Sequence, residues 1–324
     1  MKKYLFKLSL FISILIVCLL VVCYGMYQWM LTNPNQYTLF SHEINVRQSV
    51  ERLKKKTSPS IIIIGGSGCG SGFISPLLSS YYKMPVINTG THAGLGLRLQ
   101  VLLIKPYVKQ GDIVLVIPEY SQFSDTFYGP ETTWRIMTAT MQEEMDSISI
   151  KQYLYLSKYF FTAFKEAWKA YNAPSPKSDD SNGRHSPYSS HSLNEYGDVT
   201  FYEYRLHKDI PMLKERAKGM AHKKSINRET LSLLTDFREY CQCQSAMFLL
   251  FPPTYREEAF EMEKDYIQRI ENVLYKENIP YVVEPKRYEF PDSLFYDSNY
   301  HLTYEGCFVR TKMIIEDMDY ALRH

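Results

Sequence analysis

Four consecutive β-branched residues, Ile61-Ile62-Ile63-Ile64, run straight into Gly65-Gly66-Ser67-Gly68-Cys69-Gly70. A run that is apolar on both faces suits a strand covered by helices on both sides, as in a parallel sheet. The glycines stop the strand and predict a tight turn into a helix over 73–82. Ser67 is then expected at the carboxyl edge of a central strand, where open α/β sheets hold their ligands. The N–H groups of the turn and the start of the helix favour negative charge at that edge. An acyl-transfer nucleophile needs this setting, but a turn that binds phosphate or simply closes tightly occupies it as well. The run has neither the Gly-Lys-Ser/Thr of a P-loop nor a G-x-S-x-G nucleophile elbow.

Further strands are expected over 85–90, 112–120, 246–251 and 280–283, each a short apolar run bounded by turn residues. Helical periodicity separates them: Leu233, Leu234 and Phe237 in one segment, and Phe260, Ile267, Ile270 and Leu274 in the next. Strands alternating with helices predict an α/β fold, a doubly wound five-stranded parallel sheet in the flavodoxin-like order 2-1-3-4-5. The strand order then reverses beside strand one and therefore beside Ser67. Residues 121–224 form an insertion between strands three and four. It includes an aromatic-rich helix over 151–171, whose rings read as a packing face, and a loop over 172–192.

The first 30 residues differ from the rest. Lys2, Lys3 and Lys7 precede an uncharged apolar run from Leu8 to Tyr27, and about 20 such residues span a bilayer. No small-x-small cleavage site follows. The expected organisation is an N-terminal transmembrane anchor (1–30), a polar stalk helix (31–58) and an outer α/β domain (59–324). The amino-terminal lysines predict a cytoplasmic N-terminus, with the domain on the extracytoplasmic side. The lysines at 54–56 read as a solvated face. A net charge of +2 over 324 residues gives no reason to expect a nucleic-acid partner. Six cysteines form no readable disulfide framework, and Cys241-Gln242-Cys243 has no zinc spacing. Neither a metal nor a cofactor is expected.

Polar residues mark the ends of the expected strands: Ser67 after the first, Asn88 and Gly90 at the second, and Glu119 after the third. After the fifth comes Tyr296-Asp297-Ser298-Asn299-Tyr300-His301-Leu302, followed by a last helix. An Asp just upstream of a His, in a loop that opens a helix, can orient the imidazole so that it takes a proton from Ser67.

Together these motifs resemble the SGNH (GDSL-like) hydrolase superfamily. Gly-Gly-Ser at 65–67, Asn-Thr-Gly-Thr-His-Ala-Gly-Leu-Gly at 88–96, Pro-Glu-Tyr at 118–120 and the Asp…His-Leu segment at 297–302 are similar to its membrane-anchored bacterial branch, which includes alginate and cell-wall acyl-transfer proteins. The resemblance covers about 60–125 and 245–320, and not the insertion. It implies Ser67 as nucleophile, His301 as base, Asp297 as orienter and the Gly90 N–H as an oxyanion donor beside that of Ser67; Asn88 and Glu119, at the neighbouring strand ends, are expected with Gly90 on the oxyanion and substrate side. It further implies an esterase or O-acyltransferase, acting without a cofactor on an acylated polysaccharide or with an acyl-donor membrane protein. The chain departs from the pattern twice. Glu119 stands where the third block offers an Asn, and a carboxylate there repels an oxyanion unless it is protonated or turned away. Asp297 and His301 are four residues apart instead of three. Two other readings stay open: a catalytically silent glycan-binding or complex-docking member, and a receptor-like anchored domain with a small-molecule pocket.

Overall fold

The computed structural model describes residues 2–32, 42–57, 59–124, 150, 154, 157–172, 192–200 and 225–323. It is an α/β protein with a parallel four-stranded sheet. The strands are β1 (Ile61–Gly65), β2 (Val86–Asn88), β3 (Ile113–Ile117) and β4 (Met247–Leu250), in the order β2-β1-β3-β4. Strand β1 is central, with Ile63 opposite Asn88 on one side and Gly65 opposite Ile117 on the other.

The isoleucine run is divided between two cores by the pleat of the strand. Ile62 and Ile64, with Val114 and Val116 of β3, face one core. Packed there are helices α2 (His42–Lys55), α5 (Leu97–Ile104), α7 (Arg228–Cys243) and α8 (Glu257–Lys276). Ile61 and Ile63, with Ile113, Leu115 and Ile117, face the other. There they meet Leu78 of α4 (Ser75–Tyr82) and Ile314 and Met318 of α9 (Tyr304–Arg323). All four isoleucines are fully buried, each contributing about 1.5–3 kcal/mol of transfer free energy. A helix-period pattern could not fill both cores from one short run.

Local chemistry sets the helix starts. Asn227 caps α7 by accepting the Glu229 N–H at 3.0 Å. The Thr303 hydroxyl accepts the Gly306 N–H at 3.2 Å at the start of α9.

Three expectations need correction. Among the described residues the sheet has four strands, not five: the fifth expected stretch contributes a single ladder-like bond, Val282 N–H to Leu250 C=O at 2.8 Å. Pro280 at its head has no N–H to donate. The chain instead forms a separate two-stranded parallel ladder from β5 (Tyr255–Arg256) and β6 (Glu289–Phe290). The segment expected as a stalk is, through α2, part of the domain. Val46, Val50 and Leu53 are spaced as one helical stripe and are buried in the first core. Lastly, not every lysine of 54–56 is solvated. Lys54 and Lys55 are exposed, but the Lys56 ammonium is buried in a 2.7 Å ion pair with Asp112. The other bonds of that carboxylate go to the N–H groups of Ser60 and Lys109.

Helix α1 (Lys2–Thr32) contains a stretch, Lys3–Met30, long and apolar enough to cross a membrane; its most apolar 18 residues have a mean hydropathy of 2.9 and none is buried. Within the insertion, α6 (Phe160–Asn172) is a helix in the region expected. The loop expected over 172–192 lies, beyond its first and last residues, outside the described residues.

Candidate active site

After β1 the chain passes through Gly66 into a one-turn helix, α3 (Ser67–Gly70). Gly66 must be a glycine here, because a Cβ would run into the Glu119 carboxylate. Gly90 is in the same situation: a Cβ there would collide with the Gly70 N and the Cys69 side chain. The two glycines let the ends of β1, β2 and β3 close on one another.

The loop that carries the imidazole is a compact reversal before α9. Phe295 and Leu302 form an antiparallel bridge, the Tyr296 N–H donates to the His301 C=O at 2.9 Å, and the Ser298 hydroxyl accepts the N–H groups of Tyr300 and His301. This reversal brings residues four apart together. His301 Nδ1 lies 2.8 Å from Asp297 Oδ1, and His301 Nε2 lies 2.9 Å from Ser67 Oγ. A carboxylate only accepts, so the proton on the ring sits at Nδ1 and leaves Nε2 free to accept from the serine. The fourfold spacing that departs from the usual pattern therefore produces the relay geometry.

Glu119 points into the site. Its Oε1 accepts the Gly68 N–H at 3.2 Å and lies 3.4 Å from Ser67 Oγ. The carboxyl is buried, and burial raises its pKa above the ordinary carboxylate value. The Gly68 N–H, the Ser67 hydroxyl and the nearby His301 and Arg310 oppose that shift without cancelling it. Burial thus shifts this carboxyl toward its neutral form, which repels an oxyanion less than a carboxylate does. The Ser67 hydroxyl has two acceptors in reach, and the shorter contact is to the imidazole.

Asn88 is placed differently from a substrate-binding side chain. It is fully buried, its amide donates to the Cys69 C=O at 3.0 Å and to Asp198 at 2.9 Å, and its oxygen accepts the Gly90 N–H at 3.0 Å. Asn88 therefore braces the serine turn from behind. Gly90 does border the site. Along with Ser67, Thr91, His92, Leu193 and His301 it lines a cavity of about 250 Å³. Ser67, His301, Asp297, Glu119 and Gly90 are thus brought to one edge of the sheet, and Asn88 lies behind it.

No protein-family model and no curated protein matches this chain.

Three further residues shape it. Arg310, on α9, is buried. It donates to the Gly68 C=O at 2.6 Å and lies 4.4 Å over the Phe73 ring, clamping the serine turn from the last helix. A sequence signal for it exists: Cys307, Arg310, Thr311, Ile314 and Met318 form one helical stripe, so the arginine falls on the buried face. Asp198, inside the insertion, accepts from Ser75 and Asn88, and burial raises its carboxyl above the usual range. Nothing in its neighbourhood in the sequence marks it. His92 lines the cavity, where burial and the nearby His301 lower its pKa. Its Nδ1 accepts the Gly94 N–H at 3.0 Å.

Cys69, two residues from Ser67, is a poor rival nucleophile. It is buried, its thiol contacts the Ile117 C=O, and burial pushes its pKa up to about 11. Thiolate chemistry needs the opposite shift.

Proposed function

We propose that this protein is a membrane-anchored acyl esterase or O-acyltransferase of SGNH type, with Ser67 as nucleophile. The observation that carries the reading is the unbroken chain Ser67 Oγ, His301 Nε2, His301 Nδ1, Asp297 Oδ1, with both contacts at 2.8–2.9 Å, opening on a cavity large enough for an acyl ester.

In this reading His301 takes the Ser67 proton as Oγ attacks the ester carbonyl. Asp297 holds the ring and stabilises the imidazolium. The imidazolium then protonates the departing alkoxide, leaving an acyl-Ser67. Water or a sugar hydroxyl, deprotonated in turn by His301, takes up the acyl group and frees the serine. In this reading Glu119 acts in its protonated form, so that negative charge can develop beside the Gly68 turn. The acyl group is proposed to be acetyl and the substrate an exported or envelope polysaccharide, or an acyl-donor membrane protein. These rest on the family resemblance and on the apolar helix α1. The lysines at 2, 3 and 7 favour a domain on the extracytoplasmic side.

A second reading, a binding-only member of the same type, draws on one observation. The N–H groups of Gly68 and Gly90 are each already taken by a side chain of the protein itself, Glu119 and Asn88.

A fluorophosphonate separates the two. The enzyme reading expects stoichiometric labelling, mapped by peptide mass spectrometry to the peptide containing Ser67. Absence of labelling on folded protein favours the binding-only reading.

A further inference from the structure

The apolar helix α1 and the insertion helix α6 meet at one level of the molecule, through aromatic rings. Trp29, near the carboxyl end of α1, has its ring centre 5.5 Å from that of Phe164, 5.2 Å from Trp168 and 5.2 Å from Tyr171. The uncharged run that ends at Tyr27 is about 20 residues long, or roughly 30 Å of helix, which is the thickness of a bilayer's hydrocarbon layer. Trp29 lies two residues past that run, so a spanning α1 puts Trp29 at the headgroup level. The rings packed against it lie there too.

Helix α6 has two distinct sides. Ala163 and Ala167 are buried, and Ala163 joins the first core of the domain. On the outer side Phe161 is 55% exposed and Trp168 50% exposed, with Lys158, Lys165 and Lys169 exposed around them. Just upstream, Ile150 and Leu154 are exposed as well. Bulky apolar rings flanked by lysines suit the boundary between acyl chains and headgroups.

We propose that α6 is a second membrane contact, lying in the headgroup–acyl boundary beside the end of the anchor. The occupant of its outer face is lipid. Continuity with the exposed apolar surface of α1 up to Gly25, and the level set by Trp29, favour a bilayer over a partner protein. Two-point attachment gives the domain one fixed orientation on the membrane, where a single tether would leave it free to swivel. The proposal rests on α1 spanning the membrane and is independent of the chemistry at Ser67.

The chain has three tryptophans, at 29, 134 and 168, which makes depth measurable by fluorescence. Full-length protein is reconstituted into phosphatidylcholine–phosphatidylglycerol vesicles with and without brominated acyl chains. The Trp29→Phe/Trp134→Phe variant reports on Trp168 alone, and the Trp134→Phe/Trp168→Phe variant reports on Trp29. The expected result is that brominated lipid quenches Trp168 by the same fold as Trp29, while aqueous iodide leaves both nearly unchanged. Quenching of Trp168 by iodide and not by brominated lipid places α6 in water and overturns the proposal. Protection from both quenchers means that a second protein copy covers the face, which also overturns it. If Trp29 itself escapes brominated lipid, the anchor reading fails and the proposal falls with it. The difference signal between wild type and Trp168→Phe reads the same depth should the double variants misfold.

Discussion

Ser67 Oγ and His301 Nε2 sit 2.9 Å apart although 234 residues separate them in the chain. The contact exists because the first strand and the loop before the last helix end at the same sheet edge. The Leu302 N–H donates to the Ser71 C=O at 3.4 Å, and Cys307 and Arg310 reach the Ser71 and Gly68 carbonyls. The last helix and its preceding loop therefore hold the serine turn at three points. Serine and imidazole form one unit, and the predictions below follow from that unit.

Asp297→Asn preserves shape but reverses the bond to His301. An amide presents N–H as well as C=O, so the ring can settle in the tautomer with its proton on Nε2, which cannot accept from Ser67. Hydrolysis of an aryl acetate is expected to fall by about 10⁴-fold in kcat, the size of effect seen when a triad carboxylate is lost to its amide. KM should change little, because Asp297 touches the ring and not the substrate. Steady-state kinetics on purified protein checks both numbers.

Glu119 imposes a pH dependence of definite sign. Its folded-state pKa is raised, chiefly by burial. The stability it contributes is therefore fully present below the unfolded carboxyl pKa and is lost as pH rises through the higher folded value. Activity should show a falling alkaline limb for the same reason, since an ionised carboxylate 3.4 Å from Ser67 Oγ opposes an oxyanion. Glu119→Gln has no such titration. The variant is expected to be the more stable protein at neutral pH, with its advantage shrinking under acid conditions, and to lose the alkaline limb. Denaturant midpoints and kcat/KM across pH measure the two effects.

Lys56 and Asp112 lock the end of the second helix to the start of β3. Both charged ends are almost completely buried, at 1% and 0% exposure. Lys56→Ala leaves a buried carboxylate with no counter-ion, held only by the Ser60 and Lys109 N–H groups, so a loss of about 3 kcal/mol is expected. Lys54→Ala and Lys55→Ala, on the exposed side, should each change stability by less than about 0.5 kcal/mol. Chemical unfolding of the three variants tests the contrast.

Much of the sheet was legible because its strands are uninterrupted β-branched runs, and only a strand buried on both faces uses Ile61–Ile64 in full. The fifth strand was misread because the 280–283 stretch has the same composition, while Pro280 removes a donor and the chain turns away after one bond. The second helix looked like a stalk because its polar residues outnumber Val46, Val50 and Leu53, although those three decide where it packs. Within the site, Ser67, His301 and Asp297 were legible because each stands where an apolar pattern stops. Asn88 was read as facing the substrate from the same signal, yet its amide is spent on Cys69, Asp198 and Gly90. Asp198 was not legible, because its role depends on residues 192–200 meeting the sheet edge at Ser75 and Asn88. Such long-range contacts leave no periodic trace.

The most direct measurement is the turnover of an acetyl ester by wild type, Ser67→Ala, His301→Ala and the double variant, each checked for an unchanged circular dichroism spectrum. Residues acting as one catalytic unit are strongly non-additive: losing either costs about as much as losing both, on the order of 10⁶-fold in kcat in a serine hydrolase. The predicted result is near-complete loss in each single variant and hardly any further loss in the double. Turnover that survives Ser67→Ala would contradict the account, leaving the serine as a turn residue and the site as a place of binding alone.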